Sequence, residues 1–286
     1  MTIKRYAAAI AVVSIALAML AMPTAATVVA PPTGSVSGTF KADVTAPSIV
    51  SVTGPSTVQC IPGGVNNLPL TVTIQDVNGA GALDHVSAQL YSGSTALGSP
   101  VNVTGGTAVG ANQATFAVNV PFEYYYAAGA GYTVVLTAGN TAKMNSSPST
   151  FGPVTYLAAV GITVDSGASL NFGTLALGGT SASQNVTLHN AANTVIQVDG
   201  NAPDWQSSVS NATSVPASTL VGTGDGAPQN MGQTAPGGTL INTLAIGGTA
   251  PPASVPIGFV ETIPSSLSGP YTGTYTTTIT LTGVGS

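Results

Sequence analysis

Apolar residues recur with period two in eight separate stretches of this chain. Leu70, Val72 and Ile74 form one set, with Thr71 and Thr73 between them. Phe116, Val118 and Val120 form a second, and Tyr132, Val134, Leu136 and Ala138 a third. Ile162/Val164, Leu170/Phe172, Val186/Leu188, Ile257/Phe259 and Tyr275/Ile279/Leu281 complete the series. In a strand, successive side chains point to opposite faces, so this spacing describes strands with one face buried. Gly, Asn, Pro and Ser separate the runs, as turns between antiparallel strands require. Past the N-terminus no segment carries a helical period. The expectation is an all-β protein whose sheets pack face to face.

Charge supports this reading by exclusion. Charged residues are 5% of the chain, against roughly 25% in an ordinary soluble domain. A helix-rich soluble protein and a coiled coil both need the Glu, Lys and Arg that are missing here. Nucleic-acid binding through a basic face is excluded for the same reason. The outward strand positions are filled largely by Thr.

The N-terminus points to export. Lys4 and Arg5 precede an apolar run that Pro23 closes, followed by Thr24, Ala25 and Ala26. That is the layout of a secretory signal peptide, with cleavage expected after Ala26 and Ala30 as the second choice. The rival is a retained anchor, but the run is shorter than the ~20 residues that cross a bilayer. Cleavage would leave Lys41 and Lys143 against nine acids, a net charge of −7. No second apolar span follows, so no membrane span is expected in the mature chain.

Two sandwich domains in tandem are expected, over 45–156 and 157–286, after an N-terminal extension at 27–44. In that extension Val36, Gly38, Phe40, Ala42 and Val44 share one face. Such a strand can complete a neighbour's sheet, which makes Val36, Phe40 and Val44 candidate assembly residues. Its alternative is to pair with its own domain as a first edge strand. Within the second domain, 206–238 is polar, rich in Ser, Asn, Gly and Pro, and reads as a long loop. Trp205 stands at its root. TLALGGT (174–180) and TLAIGGT (243–249) echo one another and read as two equivalent corners.

The first block resembles the immunoglobulin-like sandwich domains of bacterial and archaeal surface proteins. VTIQDVNGAGALDHV (72–86) looks like the strand, Asx-Gly turn and strand that join its sheets. GYTVVLTAGN (131–140) is similar to its late strand, and the resemblance makes Tyr132 a tyrosine-corner candidate. In the second block, SLNFGTLALGGTSASQNVTL (169–188) and PYTGTYTTTITLT (270–282) resemble the opening and closing strands of secreted sandwich domains. Those domains occur in exported, Ser/Thr-rich surface proteins of methanogenic archaea and, more distantly, in bacterial biofilm-fibre and cell-wall-binding proteins.

Catalytic constellations are scarce. Asp84 and His85 are adjacent, so in a regular strand they face opposite ways and do not easily form a dyad. A third reading, an enzyme, needs His85 or His189 within hydrogen-bond reach of a carboxylate in a cleft. His189 falls on the polar face of its strand, where solvent is expected. Glu123 and Glu261 are the only glutamates and no spacing pairs them. No His/Cys cluster has zinc spacing, and no cofactor is expected. Asp76, Asn78, Gly79 and Asp84 suit either an Asx turn or an oxygen-ligated Ca²⁺, with the turn preferred. Cys60, the only cysteine, reads as a buried small hydrophobe, with an intersubunit disulfide as the other reading.

Tyr124, Tyr125 and Tyr126 are consecutive, so at least one is expected to be exposed, against the second domain or a partner. Asn102, Asn145, Asn185 and Asn211 head glycosylation sequons. Together these features favour a non-catalytic structural protein of the cell envelope or an extracellular filament. Its expected partners are further copies of itself or other envelope proteins. The other candidate is an adhesin or carbohydrate-binding module using Trp205, the three tyrosines and the 206–238 loop.

Overall fold

The structure, a computed structural model, describes residues 44–235 and 237–285. The expected signal peptide, its cleavage point, and Val36 and Phe40 lie outside the described residues. The chain is all-β, with two short 3-10 turns and no α-helix among the described residues. Accordingly no helix there is long and apolar enough to cross a membrane.

The strands of the first half are β1 (Ser48–Thr53), β2 (Thr57–Gln59), β3 (Val65–Gln75), β4 (Leu83–Ser92), β5 (Thr95–Thr104), β6 (Thr107–Ala108), β7 (Gln113–Glu123), β8 (Gly129–Asn140) and β9 (Ser149–Leu157). Those of the second half are β10 (Ile162–Ser166), β11 (Gln184–Asn190), β12 (Ile196–Asn201), β13 (Gln206–Ser207), β14 (Leu220–Thr223), β15 (Gln229–Asn230), β16 (Gly238–Leu244), β17 (Val255–Glu261), β18 (Tyr275–Thr276) and β19 (Thr280–Gly285).

Sheets β1-β3-β7-β6 and β2-β9-β8-β4-β5 enclose the first core. β3 and β7 pair without a register break from Val65↔Glu123 to Gln75↔Gln113. An unbroken register keeps every inward position inward. Leu68, Leu70, Val72 and Ile74 therefore meet Val120, Val118, Phe116 and Ala114, all buried. The pairing is antiparallel apart from β2 with β9, which is parallel. Sheets β10-β11-β17-β14-β15 and β16-β12-β19 enclose a separate second core around Leu188, Ile196, Leu240 and Phe259. This layered arrangement of antiparallel sheets is of the β-sandwich class.

Polar groups inside the first core are matched. Asn66 donates its amide to Tyr156 Oη at 2.8 Å, while its Oδ1 accepts from Ile61 N at 2.9 Å. Tyr132 packs edge-on to Phe122 with centroids 5.4 Å apart, and its hydroxyl donates to the carbonyl of Ala127. That hydroxyl-to-upstream-backbone bond is the geometry of a tyrosine corner.

The second half departs from the sequence reading in four places. The 167–179 segment forms no strand, although Leu170 and Phe172 alternate there. Gly167, Gly173 and Gly178 adopt φ of 80°, 75° and 76°, left-handed values that interrupt extended backbone. Val164 is 42% exposed rather than inward. The two Gly-Gly-Thr corners are not equivalent, because the left-handed residue is the first glycine (Gly178) in one and the second (Gly248, φ 71°) in the other. Finally, 206–238 is not a structureless loop. It contains β13, β14 and β15 and contributes Val215, Ala217, Leu220 and Met231 to the interior.

The halves meet through backbone bonds. Gly63 N donates to Ala191 O at 2.6 Å, Ala128 N to Asn193 O at 2.8 Å and Gly248 N to Tyr125 O at 3.0 Å. Asn193, 1% exposed, straps the connecting segment: its Oδ1 accepts from Ala159 N and its amide donates to Leu157 O.

Candidate binding cleft

The second core is closed less completely than the first. Its sheets have five strands and three, and among the described strands β19 pairs only with β12 and β10 only with β11. Between the β10 and β19 edges lies a cleft of about 560 Å³. Seven apolar side chains pack half-buried on this core, and six of them line the cleft: Ile162, Leu170, Phe172, Trp205, Ile279 and Leu281. None of its lining residues is charged.

A second lobe of about 670 Å³ adjoins the first and shares Leu170, Phe172, Trp205 and Tyr275 with it. Here the rings gather. Phe172 and Trp205 meet edge to face at 5.7 Å, and Tyr271 stacks on Tyr275 at 5.2 Å. Glu261, buried at the end of β17, lines this lobe. Its Oε2 accepts from Trp205 Nε1 at 3.1 Å and its Oε1 from the Thr219 hydroxyl. Burial pushes the Glu261 carboxyl above its ordinary value, and the two donors oppose that shift only in part. A shallower groove of about 440 Å³ follows β1 and Phe151 in the first half, with a single aromatic in its wall.

The sequence-level candidates distribute as follows. Trp205 is half-buried on the second core and belongs to the cleft. The three tyrosines do not join it. Tyr126 is buried and Tyr124 and Tyr125 are half-buried, so none of the three is fully exposed. Of the two outcomes expected for this run, the contacts are those with the second half. A turn after β7 lets all three pack edge to face, at 5.2 and 5.3 Å. Tyr124 faces His189 of the second half at 6.3 Å, and burial pushes the Tyr126 hydroxyl up to about 12. Val44, 44% exposed, begins the described chain. Asn102, Asn145, Asn185 and Asn211 are all exposed.

Both histidines have carboxylate partners, contrary to expectation. His85 Nδ1 lies 3.2 Å from Asp84 Oδ2, because the register skips between Leu83 and His85 and the strand alternation fails there. The imidazole folds over Gly139, where an added Cβ would sit 2.2 Å from it. His189 is half-buried, with Nδ1 2.6 Å from Asp165 Oδ1. Ser254 donates to the other Asp165 oxygen, and its bond is the leading cause that holds the Asp165 carboxyl below its ordinary value, with His189 assisting. The hydroxyl is thus on the acid and not on the imidazole, which is not the order nucleophile, base, acid.

Asp76 closes an Asx turn, its Oδ1 accepting from Asn78 N at 2.8 Å and its Oδ2 from the Asn140 amide at 2.9 Å. Burial alone would raise this carboxyl, but the bonds from Asn140 and Asn78 outweigh it and hold it low. Among the described residues no group of three or more His, Cys, Asp or Glu could hold a metal. Cys60 is free and 3% exposed, with burial raising its thiol pKa, so it offers no surface for an intersubunit disulfide. Sequence reasoning weighed Glu261 only as an unpaired glutamate and not as a cleft residue, and it missed Tyr271 and Asn193. The one available signal was that Glu261 is among only two glutamates.

No protein-family model and no curated protein matches the chain. Among solved structures it is similar to Escherichia coli alpha-2-macroglobulin activated by porcine elastase, at 12% identity and a TM-score of 0.24. That likeness covers 85% of this chain, which spans only 22% of the other.

Proposed function

We propose that this chain is an exported, non-catalytic structural protein of the cell envelope or of an extracellular filament. In this reading it consists of a signal peptide, an N-terminal strand and two sandwich domains in tandem, the first immunoglobulin-like. It assembles with copies of itself or other envelope proteins through strand edges. The observation that carries the proposal is the chemistry of those edges. β1, β5, β10 and β19 carry one charged side chain between them, Asp165. Asp165 is already bonded to His189 and Ser254. Edge strands are ordinarily kept from joining other sheets by charged side chains, and these edges lack them. Sedimentation of the mature protein over a wide concentration range is the test. Mass that rises with concentration supports the proposal, and a monomer at every concentration refutes it. Electron microscopy of the native cell surface, with label against the protein, then locates it.

The second reading is a carbohydrate-binding surface module, favoured by the ring of Phe172, Trp205, Tyr271 and Tyr275 around the cleft. Flat aromatic faces beside polar groups suit a sugar ring. Its test is a glycan array combined with quenching of Trp205 fluorescence, and absence of both signals removes it.

A further inference from the structure

We infer that the cleft between β10 and β19 receives the N-terminal strand (36–44) of a second copy, joining molecules head to tail. The inference rests on the filament reading above and names the contact surface and the partner.

The cleft has the chemistry of a core that lacks a strand. Its half-buried apolar side chains are those the second core leaves uncovered, while Val164 stands 42% exposed at its rim. The flanking strands β10 and β19 each have one partner among the described strands. An inserted strand would gain a ladder of backbone bonds at either edge and bury alternate side chains. The 36–44 segment has the matching form. Val36, Phe40, Ala42 and Val44 share its apolar face, while Lys41 and Asp43 fall on the other. An uncharged face thus meets an uncharged cleft, and Phe40 supplies one ring for the space beside Trp205 and Phe172.

Geometry sends the strand to another molecule. The described chain begins at the far end of the first half: the Asn140 amide holds Thr45 O at 2.9 Å and Asp76 at the same time. Asp76 follows the last residue of β3. The junction with the second half lies at the opposite end of β3, where Val65 pairs with Glu123 and Gly63 bonds Ala191. β3 is eleven residues long, roughly 35 Å at the strand rise. Phe40 lies five residues before Thr45, a reach of about 17 Å. It cannot traverse the first half to enter its own cleft. A segment joined to the described chain at one pole, received by a cleft beyond the other, would make a heterologous contact, which propagates as an open chain when its rotation does not close.

The test compares the mature chain from residue 27 with Phe40→Asp in the strand and Val164→Arg at the cleft rim. Sedimentation and the emission of Trp205, the only tryptophan, are the readouts. Thermal melts establish that the variants fold. If Val164→Arg melts early, Thr278→Arg at an exposed lining position replaces it. The expected result is concentration-dependent chains with blue-shifted emission for wild type, and association weakened more than about tenfold in each variant alone. Mixing the two variants should give heterodimers and nothing longer, because one retains the cleft and the other the strand. Wild-type assembly surviving both substitutions overturns this inference and leaves the filament reading standing, as does a mixture that stays monomeric while wild type assembles. A wild-type protein that is monomeric throughout overturns both.

Discussion

The indole N–H of Trp205 donates to Glu261 Oε2 at 3.1 Å, tying the only tryptophan to a carboxyl that is 3% exposed. The cost of burying that charge is visible in its raised pKa. A carboxyl with a raised folded pKa binds its proton more tightly in the folded state. Stability should therefore increase as pH falls through the folded value and level off below the ordinary value of 4.5. Glu261→Gln keeps the shape and removes the charge, so the variant should lose this rise. Thermal melts of both proteins between about pH 3 and pH 8 check it.

Asp76 and Asp165 act in the opposite sense and in a lower window. Both carboxyls are held below 3.8, so their stabilisation is complete above that value and is lost as pH falls through the lower folded values. Asp76→Asn should flatten this acid limb. The bridging amide is the larger structural element: Asn140→Ala would strip the donor from Asp76 Oδ2 and from Thr45 O, leaving Asp76 only its bonds from Asn78. A loss of roughly 2–3 kcal/mol is expected, measurable by urea denaturation.

The regular strands of the first half were legible because their two faces differ in chemistry. Leu70 and Phe116 alternate with Thr71 and Ala117 over long runs, and each expected inward residue is buried. Legibility failed where glycine performs the packing. At Gly222 of β14 an added Cβ would lie 2.8 Å from Leu240 and 3.0 Å from Phe259. At Gly200 of β12 it would lie 2.5 Å from Leu240. Strands that approach so closely have no side chain to alternate, so the 206–238 stretch reads as a polar loop. The cleft was half legible. Trp205 marked it, but Glu261 and Tyr271 reach it only through the pairing of β14 with β17 and the course of 265–279, which no local pattern encodes.

Tyr132 and Tyr156 separate two kinds of buried hydroxyl. Tyr132→Phe removes a single donor to Ala127 O and should cost about 1 kcal/mol. Tyr156→Phe removes the oxygen that accepts from Asn66, whose amide would keep only Phe122 O at 3.4 Å. The second substitution should be the more damaging, at about 1–3 kcal/mol. Paired urea titrations of the two variants order them directly.

Asn193 should control the joint between the halves without belonging to either core. It accepts from Ala159 N at 2.7 Å and donates to Leu157 O at 2.8 Å, while its backbone carbonyl takes Ala128 N. Asn193→Ala would strip both side-chain bonds from the 157–161 connection and leave the apolar clusters around Phe122 and Phe259 untouched. Local opening, rather than global unfolding, is then the expected consequence. Amides of 157–161 should exchange with solvent faster, and limited proteolysis should cut there first. Unchanged exchange at the connection would mean that the backbone bonds from Gly63 and Gly248 hold the joint without it.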